Sequence, residues 1–207
     1  MRSQSILSSS AQRGLESKDA PDVLAALRDA TTERHRIVDR VLPLAGPHPT
    51  QDDYFEHLRL MRAWLSPLER WLGSGTRDTA RVEADLAHAG IPFDPEPDCL
   101  GKISWRADAS APYRWGARYV IEGSRLGAAA LYRRLRFTLR ADNLRYLRGE
   151  GSASADRWAR FLRELRAAVQ NPADIAEACR GAGDAFDALL EVHRLRSSNA
   201  QRVGKKV

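Results

Sequence analysis

Residues 24–42, LAALRDATTERHRIVDRVL, decide the fold because their apolar side chains recur with the period of an α-helix. One face of this helix collects residues spaced by three or four along the chain, namely Leu24, Leu27, Thr31, His35, Val38 and Leu42. The opposite face is charged and carries Arg28, Asp29, Glu33, Arg36 and Arg40. The pattern predicts an amphipathic helix that packs one side against a core.

His35 lies in the middle of the apolar stripe, where leucine or isoleucine would be usual. A buried imidazole needs hydrogen-bond partners, since each unsatisfied buried polar group costs about 1–3 kcal/mol. Asp39 follows one helical turn later and can accept a hydrogen bond from one ring nitrogen. The other nitrogen can then bind a metal, because metal-ligating histidines usually donate their second nitrogen to a carboxylate or carbonyl. A core histidine satisfied by a backbone carbonyl is the alternative that this helix leaves open.

The rest of the chain alternates helical patterns with loops. The sequence predicts further helices over 51–72, 76–89, 99–106, 113–137, 141–147, 155–170 and 172–196. Thr50 and Asp53 form a variant of the capping box at the start of the second helix. Ser154 and Asn171 are further predicted N-caps, whereas Pro67 is expected to bend or divide its helix. Because β-branched residues are too sparse for strands, we predict an all-α single domain of seven or eight helices.

The two ends of the chain differ from the helical part in composition. Residues 1–19 lack the apolar core of a secretion signal, and we expect a disordered tail there. Residues 197–207 are polar and basic and are expected to form a second tail, so the helical domain spans 20–196. No run of 18 apolar residues occurs, and we expect no membrane partner. Cys99 and Cys179 lack metal-ligand spacing, which favours reduced thiols in the cytoplasm.

The formal net charge is +6, but the basic residues do not form a stripe. Arginines alternate with acids and apolar residues along predicted helices, as in RWARFLRELRA over residues 157–167. A nucleic-acid-binding surface more often gathers its basic residues on one face, so we expect no nucleic-acid partner. A small anionic ligand or an acidic protein partner explains the excess positive charge equally well.

Gly123 and Gly127 lie four residues apart inside the predicted helix over 113–137. Each glycine costs about 1 kcal/mol relative to alanine in a helix interior. Two on one face indicate that another helix, a kink or a flat ligand lies against bare backbone. Helix packing and ligand binding stay open on this evidence. Together with His35 on another helix, the glycine face can hold a planar metal complex between an imidazole and a closely approaching backbone.

Two motifs resemble those of the heme oxygenases. LRDATTERHRIVD, residues 27–39, is similar to the proximal helix of that family, whose pattern is L-[KR]-x-x-T-x-x-x-H-x-x-x-[DE]. YVIEGSRLGA, residues 119–128, is similar to the distal helix of bacterial members, including those encoded beside bacterial phytochromes. The likeness runs weakly from about residue 24 to 192. It implies a multi-helix fold in which heme is sandwiched between a proximal and a distal helix.

On the proximal side, the resemblance implies that His35 is the axial ligand of the heme iron and that Asp39 orients its ring. Thr31 matches the threonine of the motif and would belong to the heme-binding residues. Arg28, two turns before the histidine, would meet a heme propionate.

On the distal side, the resemblance implies that Gly123 and Gly127 let the backbone approach the heme. Ser124 stands where the animal enzymes have an aspartate, so the proton-relay residues are an open question. Arg163 and Phe186 fall near positions that touch a propionate and the porphyrin edge in relatives.

The implied activity is oxidative cleavage of heme, which is both cofactor and substrate, to biliverdin, carbon monoxide and ferrous iron. It requires O2 and electrons from a ferredoxin or a reductase. The resemblance also suggests a bacterial phytochrome as a recipient of biliverdin. A non-catalytic heme carrier or sensor on the same fold is the main alternative, followed by a helical adaptor that binds no heme.

Other polar residues receive structural interpretations. His57, His88 and His193 fall among mostly polar residues of predicted helices, and the sequence suggests no site for them. Glu122 precedes the first glycine of the distal motif, and an ion pair with an arginine is the favoured interpretation.

Overall fold

The computed structural model describes residues 22–73, 77–92, 105, 108–139, 144–151 and 153–204. These residues form seven α-helices and one short 3₁₀ helix, with no strand among them, which confirms the predicted all-α fold. The helices are α1 (Val23–Val41), α2 (Gln51–Leu72), α3 (Arg77–His88), α4 (Ala111–Leu135), α5 (Arg145–Arg148), α6 (Ala153–Ala168) and α7 (Pro172–Gly204), and the 3₁₀ helix is Pro43–Ala45. Across the described residues, no helix combines the length and hydropathy that crossing a membrane requires.

Local capping explains where several of these helices begin. The capping box at α2 is confirmed, because the Asp53 N–H donates to Thr50 Oγ1 at 3.2 Å and the Thr50 N–H donates to Asp53 Oδ2 at 2.7 Å. Asn171 caps α7 as predicted, since its Oδ1 accepts from the Asp174 N–H at 2.9 Å. Each bond satisfies a backbone donor that the first helical turn leaves unpaired.

Three predicted boundaries differ from the structure. Pro67 lies inside α2 without dividing it, and the buried residues Trp64 and Leu68 hold the helix in place on either side. Ser154 is not a cap, because α6 already begins at Ala153. The last helix does not end near Arg196 but continues to Gly204, so most of the predicted C-terminal tail is helical. The polar composition of residues 197–204 is typical of a solvent-exposed segment. Polar composition by itself does not end a helix.

Some predictions fall on residues outside the described part of the chain. The N-terminal tail over 1–19 lies there entirely, and so does nearly all of the predicted helix over 99–106. Of the helix predicted over 141–147, the described part is α5.

The centre of the fold is the contact between α4 and α7. A Cβ atom added to Gly116 would overlap the carbonyl oxygen of Ala178, and one added to Gly181 would overlap the carbonyl oxygen of Tyr113. The two backbones therefore touch directly, which only glycine permits at these points. Trp64 extends the contact to α2, because its indole Nε1–H donates to the Ala185 carbonyl at 2.9 Å.

A buried carboxylate joins α2, α3 and α5. Asp85 is fully buried and accepts hydrogen bonds from the Tyr54 hydroxyl at 2.7 Å and from the Tyr146 N–H at 2.9 Å. Burial raises the pKa of Asp85, although these hydrogen bonds oppose the rise. The network fixes the short helix α5, and with it the side chain of Tyr146.

The contact between α4 and α7 predicts a large effect of a small substitution. Gly116→Ala should lower the free energy of unfolding by about 1–3 kcal/mol, because the added methyl group overlaps a backbone carbonyl that cannot move alone. Helix propensity opposes this by only about 1 kcal/mol. Urea unfolding of the two proteins measures the difference. An unchanged or higher stability would contradict the direct backbone contact.

Candidate functional site

A cavity of about 730 Å³ opens between the helices, within the size range of small-molecule and cofactor sites. Its wall is mostly apolar and comes from several elements. From α1 come Thr31, His35, Val38 and Asp39, and from α2 come His57, Met61 and Trp64. The side formed by α4 runs from Tyr119 to Arg134, and the remaining wall includes Tyr146, Trp158, Phe186 and Leu189.

His35 faces this cavity from α1. Its Nδ1 lies 2.9 Å from Asp39 Oδ2, the partner that the helical spacing predicts. The side chain is 63% exposed, so the expectation that it lies in a buried stripe is wrong. The stripe is buried at Leu27, Thr31 and Val38, whereas at His35 it borders the cavity instead of the core. The alternative of a core histidine bonded to a carbonyl therefore does not hold.

The neighbours of His35 restrict the position of its ring. Phe186 of α7 meets the imidazole edge-on, with ring centroids 6.0 Å apart and an angle of 61° between the planes. One residue further along α7, Asp187 accepts hydrogen bonds from Arg34 Nε at 2.8 Å and Nη2 at 2.9 Å. This ion pair joins α1 to α7 directly beside the histidine. Thr31, one turn before it, is satisfied within α1 because its hydroxyl donates to the Leu27 carbonyl at 2.7 Å.

The glycine face of α4 opens onto the same cavity. A Cβ added at Gly123 or Gly127 would meet no atom within 4 Å, in contrast to Gly116 on the same helix. Helix packing therefore does not explain these two glycines, and the space beside them belongs to the cavity. Ser124 also lines the wall, and its hydroxyl donates to the Ile121 carbonyl at 2.8 Å.

A cluster of charged residues lies behind the glycine face. Glu122 accepts from Arg157 Nε at 2.9 Å and Nη2 at 3.1 Å and also pairs with Arg125, as the predicted ion pair requires. Arg125 in turn donates to Asp78 Oδ2 at 2.6 Å. Burial alone would raise the pKa of Glu122, but the two guanidinium groups hold it below its ordinary value. The cluster ties the glycine segment of α4 to α3 and α6.

Two of the predicted site residues do not line the cavity. Arg28 is exposed on α1, but its charge acts on Tyr119, a cavity residue whose pKa is raised by burial and partly lowered again by Arg28. Arg163 is exposed on α6, whose buried residues are Phe161 and Leu165. The helical register turns Arg163 away from the cavity.

The structure brings to the wall residues that the sequence analysis did not single out. Arg134 lines the cavity and donates to the Leu44 carbonyl. Its positive guanidinium group is the kind of side chain that binds a ligand carboxylate. It lies seven residues after Gly127, a helical spacing that could have indicated it. His57 is only 3% exposed, so its predicted polar surroundings are wrong. Its helical neighbours Tyr54 and Met61 mark the buried face of α2.

Comparison with known proteins identifies the family. The chain is 30% identical over 171 residues to heme oxygenase PigA of Pseudomonas aeruginosa, covering 76% of this chain and 84% of that protein. It is 34% identical over 159 residues to a heme oxygenase of Xanthomonas campestris pv. campestris, covering 69% of this chain and 90% of that protein. The chain belongs to the heme oxygenase family.

A solved heme oxygenase shares the fold. The NO- and CO-bound heme oxygenase from Neisseria meningitidis superposes with a TM-score of 0.64 at 22% identity, over 84% of this chain and 92% of that one. No protein-family model matches the chain. The family and the fold class predicted from the two motifs are therefore both confirmed.

The residues around the cavity suit heme. The cavity suits a flat, largely apolar molecule. The exposed imidazole of His35 lines it from α1, and Gly123 and Gly127 line it from α4, where an added Cβ would meet no atom within 4 Å. Asp39 occupies Nδ1 of His35, which leaves Nε2 as the nitrogen available to iron. Arg134 supplies positive charge at the wall for acidic substituents of the ring.

Gly127→Leu tests whether the glycine face belongs to the ligand. The apoprotein should unfold at the same or a higher temperature, because leucine gains up to about 1 kcal/mol of helix propensity and meets no atom near the backbone. Heme affinity and turnover should fall steeply, because the side chain fills the space beside the ring. Thermal unfolding and a heme titration measure the two effects. A lower melting temperature with normal turnover would identify Gly127 as a packing residue.

Proposed function

We propose that the cavity binds heme between α1 and α4 and that His35 Nε2 would hold its iron. The observation that carries the proposal is the position of His35, which is exposed to the cavity and bonded through Nδ1 to Asp39. An acidic partner of this kind fixes the tautomer of the imidazole and strengthens it as a ligand. Phe186 restricts rotation of the ring from the side of α7.

The protein cleaves heme to biliverdin, carbon monoxide and ferrous iron, the reaction of the family to which it belongs. Heme supplies the redox chemistry when it is bound, and we propose that O2 and electrons from a ferredoxin or a reductase are the co-reactants. The polypeptide contributes the site. It holds the ring by one histidine and leaves the opposite side open at Gly123 and Gly127.

On the open side, we propose that Ser124 takes part in holding water near the reacting ring. Its hydroxyl hydrogen is committed to the Ile121 carbonyl, so its oxygen acts as an acceptor. It is the residue that replaces the distal aspartate of the animal enzymes. A hydroxyl bonded to its own helix backbone is a weaker proton donor than a free carboxylic acid, and other cavity groups must contribute to proton supply.

At the edge of the cavity, we propose that Arg28 and Arg134 bind the two propionates of heme. Arg134 lines the wall directly, and the charge of Arg28 lowers the pKa of Tyr119, which also lines the wall, although burial raises that pKa more. Guanidinium groups bind carboxylates through charge-assisted hydrogen bonds. Arg163 is exposed on α6 and does not line the cavity, so we do not assign it to a propionate.

The partner proteins follow from charge and from the family resemblance. Arg36 and Arg40 are exposed on α1 close to His35, and the chain carries a net charge of +6. We propose that an acidic electron-donor protein binds near this end of α1 and that the reaction takes place in the cytoplasm. A bacterial phytochrome as the recipient of biliverdin rests on the likeness to the distal helix of phytochrome-associated members.

His35→Ala tests the axial ligand. The apoprotein should remain folded, because the side chain is exposed and alanine favours helix. The ferric heme complex should lose its histidine-ligated absorption spectrum, and turnover should fall at least about tenfold. Added imidazole should restore part of both. His88→Ala is the matched control, since His88 is exposed at the end of α3 and does not line the cavity. If the His35→Ala variant kept the parental spectrum and turnover without added imidazole, His35 would not be the ligand of the iron.

Reversal of charge tests the propionate contacts. Arg28→Glu and Arg134→Glu should each weaken heme affinity about tenfold, the effect expected from losing one exposed charge-assisted hydrogen bond. Arg163→Glu changes the net charge equally on a surface away from the cavity and should leave the affinity unchanged. Heme titrations followed by absorption compare the three variants. An equal loss in Arg163→Glu would mean that general electrostatic attraction, and no specific contact, carries the effect.

A further inference from the structure

The turn of α1 that carries His35 has little apolar packing to hold it. Thr31 and Val38 are buried, but none of the six residues between them is. The large cavity lies beside this turn, and His35 is part of its wall. An apolar side chain that reached across the cavity would occupy the space that a ligand needs. The turn therefore depends on contacts of another kind.

Arg34 provides such a contact, because it joins α1 to α7. Its Nε and Nη2 donate to the two carboxylate oxygens of Asp187 at 2.8 and 2.9 Å, which is a bidentate arrangement. Its Nη1 donates to the Ala30 carbonyl at 3.3 Å. The guanidinium group also lies over Gly183, one turn before Asp187, where an added Cβ would be 3.5 Å from Arg34 Cζ. Contacts with both helices thus fix the guanidinium group.

Consecutive residues on each helix form this contact. His35 follows Arg34 on α1, and Phe186 precedes Asp187 on α7. The two rings meet edge-on while the two charges pair. Phe186 is buried and belongs to the core, so α7 is the fixed side of the contact. A change in the separation of Arg34 and Asp187 therefore moves the imidazole of His35 relative to α7.

The overall stability of the fold does not explain the pair. The side chains of Arg34 and Asp187 are 38% and 52% exposed, and ion pairs with such exposure contribute little to the free energy of unfolding. Pairs within one helix, such as Arg194 with Glu191, cannot fix one helix against another. The Arg34–Asp187 pair joins positions that are 153 residues apart in the chain, and it does so beside His35.

We propose that Arg34 and Asp187 are positioning residues for heme binding. Their ion pair fixes the distance of the His35 ring from α7, and so from the iron that His35 Nε2 would hold. The inference rests on the function proposed above, which assigns the iron to His35. When the pair is broken, the turn between Thr31 and Val38 moves more freely, and bound heme leaves the cavity faster.

The rate of heme dissociation is the first test, measured as transfer of heme from the holoprotein to an excess of apomyoglobin. Arg34→Gln and Asp187→Asn should each lose heme about fivefold faster, the factor that corresponds to the loss of a well-formed exposed ion pair. Asp187→Glu keeps the carboxylate and should stay within about twofold of the parent. Arg194→Gln is the matched control, because it removes the same charge from a bidentate pair inside α7 and should leave the rate unchanged.

A vibrational spectrum separates positioning from a merely structural role. In the reduced heme complex, the iron–histidine stretching band of the resonance Raman spectrum should broaden or shift to lower frequency in Asp187→Asn, because the imidazole is held less firmly. The band should return towards its parental position in Asp187→Glu. The melting temperature of the apoprotein should fall by no more than about 2 °C in each variant, since an exposed ion pair adds little to the free energy of unfolding.

Parental dissociation rates and an unchanged Raman band in both Arg34→Gln and Asp187→Asn would overturn the inference. Faster heme loss with an unchanged band, or a large decrease in the apoprotein melting temperature, would also overturn it, because either result identifies a general stabilising contact. The result is separable from the proposed function. If His35→Ala keeps the parental heme spectrum, the assignment of the iron ligand fails. If His35→Ala behaves as expected while the ion-pair variants match the parent, only the role of Arg34 and Asp187 falls.

Discussion

The direct backbone contact between α4 and α7 is the constraint on which the site depends. Gly116 and Gly181 let the two helices touch, and no larger residue fits at either point. Further along α4, Gly123 and Gly127 face open space. Glycine therefore has two roles in α4. At Gly116 it lets two backbones touch, and at Gly123 and Gly127 it leaves open space beside the helix. The contact at Gly116 anchors α4, and the space at Gly123 and Gly127 belongs to the cavity beside it.

Two consecutive residues of α4, Glu122 and Gly123, lie in different environments. Glu122 belongs to a buried cluster of carboxylates and guanidinium groups, whereas Gly123 borders an apolar cavity. The ion pairs hold the outer side of the helix against α3 and α6, and they need no contact with the ligand to do so. Removing one partner from such a cluster leaves an uncompensated buried charge, which lowers the free energy of unfolding. The charged cluster is therefore a support for the glycine face.

The sequence predicted the features that arise within one helix and missed those that arise between helices. The spacing of His35 and Asp39, the capping box at Thr50 and the succession of helices are local, and the structure contains all three. The register of Arg163 on α6 and the exposure of His35 depend on which face meets a cavity, and periodicity cannot distinguish a cavity from a core. The burial of His57 was not predicted because histidine is itself a polar residue, although Tyr54 and Met61, about one turn away on either side, mark the buried face of α2.

The large cavity also makes the stability of this enzyme depend on its own substrate. A ligand that bridges α1 and α4 binds the folded chain and not the unfolded one, and at one hundred times its Kd it adds about 2.7 kcal/mol to the free energy of unfolding. Catalysis destroys that ligand. Each turnover therefore removes the bound heme that stabilises the fold, and the folded fraction is highest when heme is abundant. Without heme, the apoprotein with its apolar wall accessible is the less stable form, and it unfolds more often.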